Sequence, residues 1–199
     1  MRFGRAAVNF GTTVVLLSLV ACQTAGTSSA GSPDLTSRAY TSADLASIVV
    51  TQDTAPEDLT VEEGDSGLAA LNLPLPPESD KPIDTTAFVD ALETRIEHSM
   101  TGGYTSWSAL FETADAAERA FEFFAEQHES KDGWGLQSSR PDLDLGDESV
   151  YYTGPAYGWN TAGIYFWRES NLLLAAVGTE AYKPELLRSI AEGMDARAG

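Results

Sequence analysis

The chain has 199 residues, 43% of them hydrophobic, which suits one globular domain and excludes a disordered chain. Its 30 acidic and 12 basic side chains give a formal net charge of −18. That balance excludes the positive surface needed to bind nucleic acid or to dock electrostatically on anionic lipid. It is compatible with a cation, a basic small molecule or a basic partner, and equally with a role in solubility alone.

Residues 1–21 have the three parts of an export signal. Arg2 and Arg5 form a positive start, residues 6–21 are mostly apolar, and small residues precede Cys22. This apolar stretch is shorter than the roughly 20 residues that a bilayer-spanning helix needs. We therefore expect residues 1–21 to be a signal peptide that is absent from the mature protein.

The segment Leu19-Val20-Ala21-Cys22 resembles the lipobox of bacterial lipoproteins. The resemblance implies cleavage before Cys22, a diacylglycerol (for example with palmitate) on its sulfur, and a membrane anchor facing the extracytoplasmic side. Two or three acyl chains hold a protein durably, because each buried methylene contributes about 0.8 kcal/mol. By the same family rule Gln23 permits sorting to the outer membrane in a diderm host, so the cell membrane and the outer membrane both stay open. The alternative is an incidental cysteine that follows an ordinary signal peptide.

Residues 22–38 are rich in serine, threonine, glycine and alanine, which predicts a flexible tether. Residues 39–199 are then expected to form a single globular domain. Its first part predicts a helical turn over Ser42–Leu45, an apolar run over residues 46–50 and a short strand over residues 58–62. Four prolines make residues 71–83 an extended connector.

Phe88, Leu92 and Ile96 recur at helical spacing, which predicts an amphipathic helix over residues 84–100. Asp84 would cap this helix, and the glycines at 102 and 103 would end it. The next segment, residues 104–111, is apolar and aromatic and predicts a strand.

A second amphipathic helix is predicted over residues 113–129, with Thr113 as its cap. Its outer face carries four glutamates. Its inner face carries small and aromatic residues, namely Ala117, Ala120, Phe121, Phe124 and Ala125.

Three strands are predicted after a loop, over residues 149–153, 162–168 and 171–178, and the last two form a hairpin. Pro184 suits the first position of a closing helix. The sequence therefore predicts an α+β fold, with a mainly antiparallel sheet of about four to five strands packed with three main helices. Because the hairpin is apolar on both faces, we expect helices on one face and another layer, a partner or a ligand on the other.

The C-terminal part resembles small lipoproteins and sensor-type extracellular domains of high-GC bacteria. The residues that carry the resemblance are Leu145–Ser149, Tyr151 and Tyr165–Leu172. The resemblance implies an α+β domain with a groove and a ligand-sensing or envelope-accessory role.

The acidic loop at residues 141–148 invites a calcium interpretation, but its spacing fits no twelve-residue calcium loop. Gly146 stands where a ligand should be, and a turn that opens a strand is the better interpretation. We predict no metal and no cofactor.

A hydrolase would need His98 or His128 beside a serine and a carboxylate in one cleft. Both histidines lie near the ends of predicted helices, and no motif for nucleophilic, zinc or phosphate chemistry is present. We therefore expect a protein that is not an enzyme.

Aromatic residues in glycine-rich loops are the best candidates for ligand binding, because exposed rings anchor sugars and partners. The alternative is that the rings fold back over the end of the sheet. Arg168 could hold an anionic group or pair with a neighbouring acid. The predicted ligand-binding set is Trp134, Tyr157, Trp159, Tyr165, Trp167 and Arg168.

Two functions compete. A ligand-binding or sensor-like module of the cell envelope predicts a concave apolar pocket on the face of Tyr165 and Trp167. A structural lipoprotein that scaffolds an envelope complex predicts that protein fills the same face. The membrane anchor is common to both, and the sequence names neither the small ligand nor the envelope partner.

Overall fold

The structure, a computed structural model, describes residues 39–56, 59–71, 82–99, 102–130, 134–156 and 159–199. The helices of the described residues are α1 (Ser42–Ile48), α2 (Gly67–Leu71), α3 (Ala114–Glu129) and α4 (Pro184–Ala198). The strands are β1 (Val61–Ser66), β2 (Phe88–Ser99), β3 (Gly102–Phe111), β4 (Gln137–Ser139), β5 (Glu148–Ala156), β6 (Trp159–Glu169) and β7 (Leu172–Glu180).

The described strands form one sheet in the order β1-β2-β3-β7-β6-β5-β4, and every neighbouring pair is antiparallel. The predicted α+β class with an antiparallel sheet is therefore confirmed. The hairpin of β6 and β7 lies near the centre of the sheet, where both strands have hydrogen-bonded neighbours on either side. This position explains why their sequences are apolar throughout.

Helices of the chain itself cover both faces of the sheet. On one face α2 and α3 enclose a core that includes Trp107, Phe124 and Phe166. On the other face α1 and α4 enclose a second core that includes Trp167 and Leu174. The sequence left three possibilities for this second face, namely another layer, a partner or a ligand. The structure shows that a layer formed by α1 and α4 covers it.

The helix predicted over residues 84–100 is wrong, because residues 88–99 form strand β2. Apolar residues four apart, such as Phe88, Leu92 and Ile96, satisfy the period of a helix and also the period of two of a strand. Antiparallel pairing with β1 and β3 decides the outcome. Between the apolar positions, the polar residue Thr94 is buried, and its hydroxyl donates to the Val50 carbonyl at 2.7 Å.

The predicted number of elements also changes, to seven strands and four helices among the described residues. Strand β1 begins at Val61, a few residues later than predicted, and β4 lies within the predicted loop. Helix α2 has only five residues, Gly-Leu-Ala-Ala-Leu. A segment this short shows no helical periodicity, so the sequence did not predict it. Most of the predicted connector, residues 72–81, lies outside the described residues.

The helices α3 and α4 confirm their predictions closely. Thr113 caps α3, and its side chain accepts a hydrogen bond from the Ala116 amide at 3.2 Å. Pro184 opens α4, which buries Leu187, Ile190 and Met194.

Asn171 joins the start of the described chain to the sheet. Its side-chain oxygen accepts from the Tyr40 amide at 2.9 Å, and its amide nitrogen donates to the Phe111 carbonyl at 2.9 Å and the Tyr40 carbonyl at 3.3 Å. The Tyr40 hydroxyl in turn donates to the carbonyl of Ala198 at the end of α4. The β6–β7 turn, the entry of the chain and the end of α4 therefore meet at one place.

Candidate functional site

A cavity of about 230 Å³ lies beneath the first half of α3, at the end of the sheet where β2 begins and β3 ends. Small residues on α3 leave this space open, because alanine reaches only a short way from the helix. The apolar walls are formed by Ile83, Ala87, Phe111, Ala116, Ala120 and Phe123.

Backbone hydrogen bonds fix the segment that closes the cavity opposite α3. The Glu112 amide donates to the Ala87 carbonyl at 2.9 Å, and the Phe88 amide donates to the Thr85 carbonyl at 3.2 Å. The rings of Phe88 and Phe111 pack edge to face with centroids 6.1 Å apart. The wall on this side is therefore part of the folded core.

One basic and one acidic side chain, Arg119 and Asp84, also line the cavity and are exposed at its mouth. The Thr86 amide donates to Asp84 at 2.9 Å. This bond, a further bond from the Thr86 side chain and the charge of Arg119 lower the pKa of Asp84. The site thus combines an apolar interior with a positive and a negative group at its entrance.

The structure buries two of the residues that the sequence predicted to bind ligand. Tyr165 is 5% exposed and Trp167 is 0% exposed, and both pack against α4. The Tyr165 hydroxyl donates to Asp142 at 3.0 Å, and burial raises the pKa of Tyr165 to about 12. Near Trp167, burial also raises the pKa of the Asp195 carboxyl, which accepts from the Gly146 amide at 3.0 Å. The face on which a concave pocket was expected is therefore filled by the chain itself.

Trp134, the one residue of the aromatic loops whose side chain the structure describes, does not meet that face. Trp134 is half-buried on the opposite face of the sheet, where its ring centroid lies 5.6 Å from that of His128. His128 is 0% exposed and also contacts the rings of Tyr152 and Phe166, at 4.9 and 5.7 Å between centroids. These rings surround the histidine with apolar groups. Trp134 therefore lies in the same core as α3.

Tyr157 and the side chain of Trp159 lie outside the described residues, as do Cys22 and the side chain of His98. The structure therefore does not place these predicted residues. None of the helices in the described part of the chain has the length and apolar character that crossing a bilayer requires.

Arg168 pairs with a neighbouring acid, which was one of the two alternatives. Its guanidinium lies 3.2 Å from the Asp147 carboxylate, which also accepts from the Ser170 amide at 2.8 Å. Ser170 has a positive φ of 53°, so this bond holds a tight turn between β6 and β7. Arg168 and Asp147 therefore both belong to the support of the hairpin.

Two acids of the loop at residues 141–148, Asp142 and Asp147, form ion pairs within the fold. Asp142 pairs with Arg188 of α4 and accepts from Tyr165. Among the described residues, no three histidine, cysteine, aspartate or glutamate side chains lie close enough to share a metal ion.

The residues around the α3 cavity were absent from the predicted set. A pattern in the sequence could have indicated Arg119, because it is the one arginine or lysine in a helix whose outer face carries four glutamates. No pattern in the sequence indicated Ile83 or Ala87. Ile83 was assigned to the extended connector, and Ala87 to the helix predicted over residues 84–100.

No protein-family model and no curated protein matches the sequence. Among solved structures, the chain is similar in fold to the extracellular domain of PknH from Mycobacterium tuberculosis. The TM-score is 0.52 with 10% sequence identity, and the match covers 81% of this chain and 98% of that domain. At this identity the likeness is one of fold. The shared fold agrees with the α+β domain that the resemblance of the C-terminal part implied.

Proposed function

We propose that this chain is a lipid-anchored, extracytoplasmic, non-catalytic protein that binds a small, largely apolar ligand in the cavity beneath α3. The observation that carries the proposal is the cavity itself, which combines walls from the folded core with Arg119 and Asp84 at the mouth. The lipobox segment before Cys22 and the likeness in fold to an extracellular domain support the location.

The volume limits the ligand. A cavity of about 150 Å³ holds a benzene molecule, so 230 Å³ has room for one aromatic ring or branched chain with a short substituent. Pockets for drug-sized molecules begin at about 300 Å³. The ligand, or the part of it that enters, is therefore small, and its polar end meets the charged pair at the mouth.

Binding is tested with indole, a neutral probe of suitable size, titrated into the full-length ¹⁵N-labelled protein in a nonionic detergent. We expect saturable shifts of the backbone amides at residues 82–87 and 113–123. Ala120→Leu fills the cavity and should weaken binding at least about tenfold, an effect of 1.4 kcal/mol. The matched control is Ala125→Leu, on the same helix but outside the cavity walls. Equal binding by both variants would contradict the proposal.

The anchor is tested by Cys22→Ser and cell fractionation. Because the sulfur would carry the lipid, the variant should move from the membrane fraction to the soluble fraction. A variant that still pellets with the membrane would show that the placement at the envelope is wrong. Mass spectrometry of the intact protein from its host would report both the acyl chains and a co-purified small molecule.

A second candidate is the structural lipoprotein that scaffolds an envelope complex. It is favoured by the filled face of Tyr165 and Trp167, which offers no groove. A protein that binds no small molecule but co-purifies from membranes with a defined partner would favour this second function.

A further inference from the structure

Arg197, near the end of α4, differs from the other partly buried arginines of the described chain. Arg95, Arg168 and Arg188 each lie within 4.0 Å of a carboxylate. Arg197 forms no such ion pair with any described carboxylate, although the chain carries 30 acids. Its Nε and Nη2 atoms both donate to the carbonyl of Ile48, at 3.0 and 2.8 Å. Two of its five N–H groups therefore hold the end of α1, and no carboxylate of the described residues pairs with its charge.

A second cavity, of about 210 Å³, adjoins this guanidinium. It lies between α4 and the segment at residues 50–56, on the face of the sheet opposite the α3 cavity. Val50, Ala55, Pro56 and Ile190 form apolar walls, while Thr54 and Ser189 contribute hydroxyl groups.

Three residues of α4 bring this cavity to Nη1 of Arg197, the guanidinium nitrogen that does not bond Ile48. Ser189, Gly193 and Arg197 are four residues apart and share one face of the helix. A Cβ atom at position 193 would lie 3.3 Å from Nη1 of Arg197, closer than most real contacts of this kind. Glycine is a poor helix former, and here its missing side chain leaves room beside the guanidinium. Burial lowers the pKa of Arg197, as expected for a cation with no nearby anion.

We propose that this cavity binds a small organic monocarboxylate, with the carboxylate on Nη1 of Arg197 and the hydroxyl of Ser189. The apolar body of the ligand packs on Ile190 and Pro56. A guanidinium has five N–H donors, and those not used on Ile48 are available to an oxygen acceptor. The site holds one cation in a chain of strongly negative net charge, which favours a single charge on the ligand over a phosphate or a dicarboxylate.

The test uses full-length protein in a nonionic detergent, labelled with ¹⁵N-arginine so that each Nε–H group gives its own signal. Benzoate is the probe, and benzamide is a neutral molecule of the same shape. Benzoate should shift the Arg197 signal saturably, with a Kd on the order of 1 mM, while benzamide binds at least about tenfold more weakly. The Arg119 signal reports separately on benzoate that enters the α3 cavity. Ala120→Leu should remove any Arg119 shift and leave the Arg197 shift in place, so the failure of this proposal is distinguishable from that of the proposed function.

Ser189→Leu fills the mouth from an exposed position and leaves the bonds of Arg197 to Ile48 in place, so it should abolish the benzoate shift. Ser189→Ala keeps the space and removes one donor, and should weaken binding a few-fold. Ser139→Leu, an equally exposed change on β4, should leave binding unchanged. Equal binding of benzoate and benzamide, an Arg197 signal that does not respond, or a shift that persists in Ser189→Leu would each overturn the proposal. In those cases Arg197 serves only to hold the end of α1.

Discussion

Replacing Asn171 by alanine should destabilise the fold strongly, because this one side chain satisfies three backbone groups. Asn171 and its partner residues Tyr40 and Phe111 are 5%, 5% and 1% exposed, so water cannot replace the lost bonds. A buried backbone group left without a partner costs about 1–3 kcal/mol. The two shorter bonds, both 2.9 Å, link Asn171 to the Tyr40 amide and the Phe111 carbonyl. Their loss gives an expected decrease of about 3 kcal/mol in the free energy of unfolding.

Thermal unfolding followed by tryptophan fluorescence measures this decrease, since Trp107 and Trp167 are both buried. For a domain of this size, 3 kcal/mol corresponds to a Tm lower by about 6–12 °C. The control is Ser139→Ala, which removes one exposed hydrogen bond to the Tyr151 carbonyl and should cost under about 0.5 kcal/mol. If Asn171→Ala costs no more than this control, the junction at Asn171 does not hold the fold as argued.

Gly146→Ala should destabilise the protein far more than Gly67→Ala, although both glycines have positive φ, 49° and 60°. The new Cβ at position 146 would overlap the Arg168 carbonyl oxygen, whereas the new Cβ at position 67 would meet no atom within 4 Å. Thermal unfolding measures the difference, and equal decreases in Tm for the two variants would refute it. Alkaline pH should also destabilise the fold, since the pKa of Tyr165 rises to about 12 from about 10 in an unfolded chain. The folded state holds the Tyr165 proton more tightly than the unfolded state, so the free energy of unfolding falls as pH rises from about 10 to 12. Over this range the urea midpoint of Tyr165→Phe should fall less steeply than that of the unaltered protein. Parallel curves for the two proteins would contradict the assignment.

The sequence predicted those elements whose pattern has one interpretation. The helix that Thr113 caps and the helix that Pro184 opens show clear helical periods, and the β6–β7 hairpin follows from two apolar runs around a polar turn. The segment at residues 88–99 failed because a spacing of four residues fits both a helix and a strand. Its antiparallel pairing with β3, from Phe88 opposite Phe111 to Ser99 opposite Gly102, is a long-range property that local spacing does not contain.

The candidate sites were harder to predict than the fold. Aromatic residues near a turn suggested binding, yet Tyr165 and Trp167 are needed by the core beneath α4. Both cavities instead depend on residues with a small side chain or none, such as Ala120 on α3 and Gly193 on α4. An absent side chain leaves no pattern in the sequence, and the space that it creates appears only when three distant segments come together.

The contact between Tyr40 and Ala198 has a practical consequence for engineering. Because Tyr40, near the start of the described residues, touches Ala198, near their end, a linker of a few residues could join the two, with new termini opened at an exposed turn. Such a circular permutant would keep every neighbour in the sheet. A fluorescent reporter fused after Gly199, by contrast, would start one residue past Ala198 and would crowd the contact of Ala198 with Tyr40.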